Sequence, residues 1–190
     1  MKGMFTLRQS WKLCIFAGFL AMISSAQAQQ EYKLNAGDIL LVSVWKEEEL
    51  TREVLVRPDG GISFPLVGEV QAAGRSTRDV QDSVVAKLSE YVPDAVVTVA
   101  VLSTNGNKVY VLGKVARPGE YVVNKRLDVM QVLALAGGLT TFAAENKVRI
   151  LRRSADGTQK AIPFRYGAVK EGAQLDTNIV LVSGDTVVVP

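Results

Sequence analysis

Glycine, proline and short polar turns cut this chain so often that neither a long helix nor a long strand has room to form. After residue 30 the breaks fall at Ala36-Gly37-Asp38, Arg57-Pro58-Asp59-Gly60-Gly61, Pro93, Gly106, Arg117-Pro118-Gly119, Gly137-Gly138, Ser154-Ala155-Asp156-Gly157 and Ser183-Gly184-Asp185. Between them lie short runs rich in Val, Ile and Leu, the length and composition of strands. Such punctuation predicts small sheets with a few short helices, the α+β class.

Residues 39–45 read as a mostly buried strand and 54–56 as a second. Ile62, Phe64 and Leu66 alternate as a third that ends at Gly68. Ser76 or Thr77 caps a helix reaching about residue 90, with Val80, Val84 and Leu88 four apart on one face. Pro93 stops it, and 95–102 is a β-branched strand. The polar stretch 103–107 is the expected boundary between two small domains, 29–103 and 107–190. The second should hold strands at 109–112, 121–123, 148–152, from Ile162 onward, and at 186–189. A helix over 127–136 is ended by Gly137-Gly138. Two short echoes, Gly37-Asp38 with Gly184-Asp185 and 67–70 with 112–115, lack the fixed period of true repeats and are read as common turn chemistry.

The start of the chain is an address. Lys2, Arg8 and Lys12 precede the apolar or small run 13–23, which is followed by Ser24, Ser25 and Ala26-Gln27-Ala28. This is the order of a secretory signal peptide, 1–28, with cleavage before Gln29. The apolar run falls short of the ~20 residues a membrane-spanning helix needs. Cys14 sits inside it rather than at the cleavage point, so no lipid anchor is expected. The formal charge is +3. Subtracting those three leader cations leaves a neutral body with no electrostatic footprint for nucleic acid.

The chain has no His, and Cys14 is its one Cys. His-dependent nucleophilic triads, intrachain disulfides and Cys/His metal sites are excluded on composition. No metal, cofactor or catalytic residue is expected. Carboxylate-only chemistry stays open, with Asp59 and Glu69 the nearest plausible pair, but it would need a deep cleft that domains this small seldom enclose.

The ordered set of motifs resembles the bacterial polysaccharide export proteins. Residues 32–38, 56–70, the capped helix and the strand after Pro93 resemble the export domain of that family. Residues 109–115, 117–121, 134–139 and 183–190 are similar to a soluble-ligand-binding β-grasp domain. The resemblance implies a ring of identical subunits that conducts exopolysaccharide from an inner-membrane synthesis and co-polymerase complex to the outside. It places the protein in the periplasm against the outer membrane. Large family members carry a lipid-bearing Cys, in some cases a second β-grasp domain, and a pore-lining helix beyond the last one. This sequence shows none of these, so a short-type member that meets a separate outer-membrane channel is expected. The alternative is a periplasmic carrier of a small ligand or sugar.

The candidate polysaccharide or subunit contacts are Arg57, Asp59, Gly60, Gly61, Pro65, Gly113, Arg117, Pro118 and Gly119. Asp59 can accept from sugar hydroxyls and Arg57 can meet acidic sugars. Turn chemistry alone explains the same composition. Pro65 marks a strand edge or a strand end. Trp45, Tyr110 and Tyr121 read as core aromatics, with stacking on sugar rings as the alternative. Lys147, Arg149, Arg152 and Arg153 read as a solvated strand face. Glu47-Glu48-Glu49 reads as an exposed loop able to pair with cations on a neighbouring subunit.

The leader makes a direct prediction. The intact mass of the periplasmic protein should correspond to a chain beginning at Gln29 with no diacylglycerol adduct. A species retaining Met1, or one carrying lipid, contradicts it.

Overall fold

The computed structural model describes residues 31–154 and 156–190; the expected leader lies outside them. Residues 32–190 form one compact unit. Within it are two hydrophobic cores, one built from residues between Leu34 and Val99, the other from residues between Val109 and Val189. The fold is α+β, with small sheets and short helices.

In the first half, β1 (Ile39–Val44) is the centre of a three-stranded antiparallel sheet between β2 (Glu47–Leu55) and β5 (Val97–Ser103). β3 (Gly61–Phe64) and β4 (Gly68–Gln71) form a hairpin. α1 (Thr77–Leu88) lays Val80, Val84 and Leu88 into the core, the face its four-residue spacing predicts. Its start is fixed by a reciprocal capping box. The Asp79 amide donates to Ser76 Oγ at 3.2 Å, and the Ser76 amide donates to Asp79 Oδ2 at 3.0 Å. Those Ser76 contacts hold the exposed Asp79 carboxyl below its usual range, with Lys33 adding to the effect.

The second half wraps a five-stranded sheet, in the order β7-β6-β10-β8-β9, around one helix-covered core. Its strands are β6 (Lys108–Gly113), β7 (Gly119–Val122), β8 (Val148–Arg153), β9 (Gln159–Phe164) and β10 (Thr186–Val189). β6 and β10 run parallel and every other pair is antiparallel. α2 (Val129–Leu135) has its own capping box, Asp128 with Gln131, and stops at Gly137 and Gly138, both at positive φ. A short α3 (Tyr166–Lys170) follows β9.

Several expectations are corrected. Glu47–Glu49 is not a loop: β2 starts there and runs nine residues. It is an edge strand paired only to β1, so charged side chains stand in water while the backbone still pairs, a common way to blunt a sheet edge. Trp45 lies beyond β1 and is 70% exposed. Tyr110 faces outward on β6, because its neighbours Val109 and Val111 take the core side. Pro65 sits in the turn between β3 and β4, next to Leu66 at φ +64. β4 and α3 were not foreseen.

The two halves meet through Gly106. The fully buried Asp38 accepts from Tyr32 Oη at 2.7 Å, from the Asn35 amide at 2.8 Å and from the Gly106 amide at 3.0 Å. On the other side of the same residue, Ser183 Oγ donates to the Gly106 carbonyl at 3.0 Å. A Cβ on Gly106 would collide with the Ala36 carbonyl and lie 2.9 Å from Asp38 Oδ1. Burial, together with donation to Asp38, raises the Tyr32 phenol well above its usual range. Its stabilising share is therefore present below the ordinary tyrosine pKa and fades as pH climbs through the raised one.

Gly106→Ala should cost about 1–3 kcal/mol through backbone crowding, and Asp38→Asn a similar amount by unpairing buried donors. Ser183→Ala removes one neutral bond and should cost about 1 kcal/mol. Denaturant midpoints would test this order; a Gly106→Ala protein as stable as wild type contradicts it.

Candidate functional site

The first group of candidate residues is a turn tied to a hairpin. The Gly60 amide donates to the Arg57 carbonyl at 2.8 Å, and the Arg57 amide to the Gly61 carbonyl at 2.9 Å. The Asp59 side chain accepts from the Gly61 amide at 3.0 Å. The Arg57 guanidinium makes a two-point contact with Asp59, at 3.1 and 2.8 Å. Its remaining terminal nitrogen reaches Ser63 Oγ at 2.7 Å and Glu69 at 2.8 Å. Ser63 and Glu69 are register partners across β3 and β4, so one arginine clamps the turn onto both strands.

The clamp occupies the groups that were candidates for sugar contact. Arg57 spends its donors on three neighbours of its own chain. Its hydrogen bond to Asp59, and the Gly61 amide, hold the Asp59 carboxyl below its usual range. The same partners, Asp59 first and then Glu69, hold the guanidinium proton more tightly than usual. Asp59 is exposed and Arg57 only partly covered, so these shifts report local pairing in high dielectric and carry little stability.

Gly60 and Gly61 are buried. Gly60 has φ +84, and a Cβ there would come within 2.9 Å of Ala73 Cβ. Its carbonyl accepts from both the Ala72 and Ala73 amides at 2.9 Å.

The second group surrounds the β6–β7 turn. Gly113 has φ +95, and a Cβ there would collide with the Val189 carbonyl, which accepts from the Lys114 amide at 2.9 Å. Gly113 thus serves the parallel β6–β10 pair, and a bulky residue would break the fold of the monomer before it tested any subunit contact. Arg117 folds back, donating from its guanidinium to the Leu135 carbonyl at 2.9 Å. Pro118 and Gly119 are exposed at the turn. Among the described residues no hydrogen bond joins this group to the Arg57 turn.

The basic cluster divides by partner. Arg152 makes a two-point ion pair with the fully buried Asp185, at 2.9 and 2.6 Å, and donates to the Val180 carbonyl at 3.0 Å. Its hydrogen bond to Asp185 raises its pKa further. Arg149 and Arg153 are exposed, with no partner among the described residues.

A groove that sequence reasoning missed lies beside α3, with a volume of about 610 Å³. Tyr166, Glu145, Lys170, Thr140 and Thr141 line it. The Tyr166 ring meets Phe164 edge to face, with centroids 6.5 Å apart. Gly167 lies beneath it, and a Cβ there would sit 2.8 Å from Glu145 Oε1, the end of an exposed, flexible side chain. The groove is open and polar, and its residues come from two separated segments with no motif to announce them.

Comparison with known proteins assigns domains to this arrangement. Residues 26–102 match the polysaccharide biosynthesis/export protein family, and residues 108–163 match the SLBB domain. The EPS I polysaccharide export outer membrane protein EpsA of Ralstonia nicotianae is 28% identical over 181 residues, covering 82% of this chain and 46% of that protein. The exopolysaccharide production protein ExoF of Rhizobium meliloti is 30% identical over 156 residues, 74% of this chain and 36% of that one. The polysialic acid transport protein KpsD of Escherichia coli is 34% identical over 110 residues, 57% of this chain and 20% of that protein. The chain spans less than half the length of these curated relatives. The chain carries a domain of the polysaccharide biosynthesis/export protein family followed by an SLBB domain.

Proposed function

We propose that this protein exports exopolysaccharide as a periplasmic homo-oligomer at the outer membrane, taking polymer from an inner-membrane synthesis and co-polymerase complex to a separate outer-membrane channel. The observation that carries this reading is the domain pair, present in family order and joined tightly at Gly106. No helix among the described residues is long and apolar enough to cross a membrane. The Tyr166, Glu145 and Lys170 side chains of the α3 groove, whose polar groups are unpartnered among the described residues, suit weak, repeated contact with a hydroxyl-rich chain, and conduction requires binding weak enough to release.

The protein does not cleave its polymer. A glycosidase needs a carboxylic acid with a raised pKa beside a second, free carboxylate. Asp59 has the opposite shift, and Glu69 is bound to the same guanidinium. The carrier alternative calls for an enclosed, mainly apolar pocket, which the open α3 groove is not.

Deleting the gene should abolish secretion of the host's polymer, and the full chain should restore it. Arg57→Ala should leave secretion near wild type, because Arg57 is committed to its own chain. Purified protein incubated with the host's polymer should leave the polymer's size distribution unchanged. Depolymerisation lost in Asp59→Asn would revive the hydrolase reading.

A further inference from the structure

Each half of the protein leaves one face of its main sheet uncovered. In the three-stranded sheet, Leu40, Val42 and Val44 point into the core, so Ile39 and Leu41 point away from it. Register places Leu55 opposite Ile39, and Glu53 and Ala100 opposite Leu41. The open face is thus an aliphatic patch with one carboxylate, Glu53, which has no partner among the described residues. The same edge strand continues into Glu47, Glu48 and Glu49, all exposed and without side-chain partners among the described residues.

The five-stranded sheet has the matching arrangement with the opposite charge. Val109, Val111, Ile150, Val187 and Val189 face the core. Register then aligns Tyr110, Thr186 and Leu151 in one row of the open face, and Leu112, Val188 and Arg149 in the next. Tyr110 is 39% and Leu112 50% exposed. Arg149 and Arg153, on the same side of β8 as Leu151, are the unpartnered cations of this face.

We propose that these two faces bind each other between copies: the acidic, aliphatic face around Leu41 and Glu53 of one copy packs on the basic, aliphatic face around Leu151, Arg149 and Arg153 of the next. This rests on the proposed homo-oligomer, taken as a closed ring or collar of copies, and names its contact. Both faces are exposed in one chain, so the contact joins unlike surfaces. Unlike contacts propagate from copy to copy and close into a ring when the rotation allows. Sheets stacked this way lie about 10 Å apart, with inner side chains interdigitating. Strand geometry makes the smaller face roughly 20 by 15 Å, about 300 Å², well under the ~800 Å² per partner of a stable pair. Two copies alone should therefore associate weakly. Ring closure, which holds every copy at both faces, supplies the persistence.

Charge reversal tests this in protein purified from the periplasm of cells expressing the full chain. By sedimentation velocity, wild type should form a closed oligomer as its concentration rises. Glu53→Arg alone, and Arg149→Glu with Arg153→Glu alone, should each weaken assembly at least tenfold while circular dichroism stays that of the folded chain. An equimolar mixture of the two variants should assemble again, since each mismatched face finds its complement on the other protein. The triple variant should assemble by itself. Assembly of either one-sided variant at wild-type strength, or no rescue on mixing, overturns the proposed contact. In both cases polymer secretion still decides the export reading separately. A wild type that stays monomeric at every concentration overturns the contact, and the collar with it. A one-sided variant that loses its folded spectrum is replaced by Glu53→Gln or Arg149→Gln, read by the same shift in assembly.

Discussion

One residue, Gly106, connects the two halves of this molecule, and its surroundings leave it little freedom. Its amide is held by a carboxylate of the first half and its carbonyl by a hydroxyl of the second. Both contacts are at least partly shielded from water, where an unmade hydrogen bond costs more than a made one gains. The Ala36 carbonyl closes the space a side chain would need. A connector as short and polar as 103–107 predicts closely coupled halves. Here the connector is part of the packing, so a force on one half is passed to the other. In the proposed export oligomer, that coupling would hold each subunit's shape while polymer moves past.

The candidate residues separate by how completely the fold already uses them. Arg57, Asp59 and Glu69 form a closed ion-pair group, Gly60 sits at positive φ, a Cβ on Gly61 would meet the Arg57 guanidinium, and Gly113 is explained by the close approach of the Val189 carbonyl. Little in those positions is left over for a ligand. Arg149 and Arg153 on β8, and Tyr166, Glu145 and Lys170 of the groove, are different, because their side-chain polar groups have no hydrogen-bond or ion-pair partner among the described residues. A recognisable motif therefore pointed to structure, while the unpartnered groups lay in stretches with no motif.

Much of the fold was legible in the sequence, for local reasons. Ser76 with Asp79 marks a helix start, Val80, Val84 and Leu88 mark its buried face, and Gly137-Gly138 marks the end of α2. Each signal lies within about two turns of chain. β2 was hidden because a strand can carry Glu47, Glu48 and Glu49 when it is an edge, and edge position is a property of the sheet. Trp45 and Tyr110 were read as core on their chemistry, but alternation with Val44, Val109 and Val111 sends them outward. The register between β10 and β6 joins residues far apart in the chain, so the uncovered face is visible only once the sheet exists.

The Gly37-Asp38 and Gly184-Asp185 turns show where local chemistry stops deciding. In each, the aspartate amide donates back to the residue three positions earlier, at 3.1 Å. In each, that residue's amide donates to the aspartate carboxylate, at 2.8 Å for Asn35 and 2.9 Å for Val182. The glycines sit at φ +97 and +85, and both aspartates are fully buried before a strand. The turns are one structure made twice, yet the sheets that follow differ: β1 is flanked by antiparallel strands on both sides, whereas β10 has a parallel neighbour. Turn chemistry accounts for the resemblance without any need for duplication. The carboxylates differ in their further partners. Asp38 takes Tyr32 and the amide of Gly106, 68 residues away, which ties one half of the protein to the other. Asp185 takes the Arg152 guanidinium, 33 residues away, which ties β10 to its neighbour β8. The motif determines that a buried carboxylate will stand at each turn, and the tertiary fold determines what that carboxylate holds together.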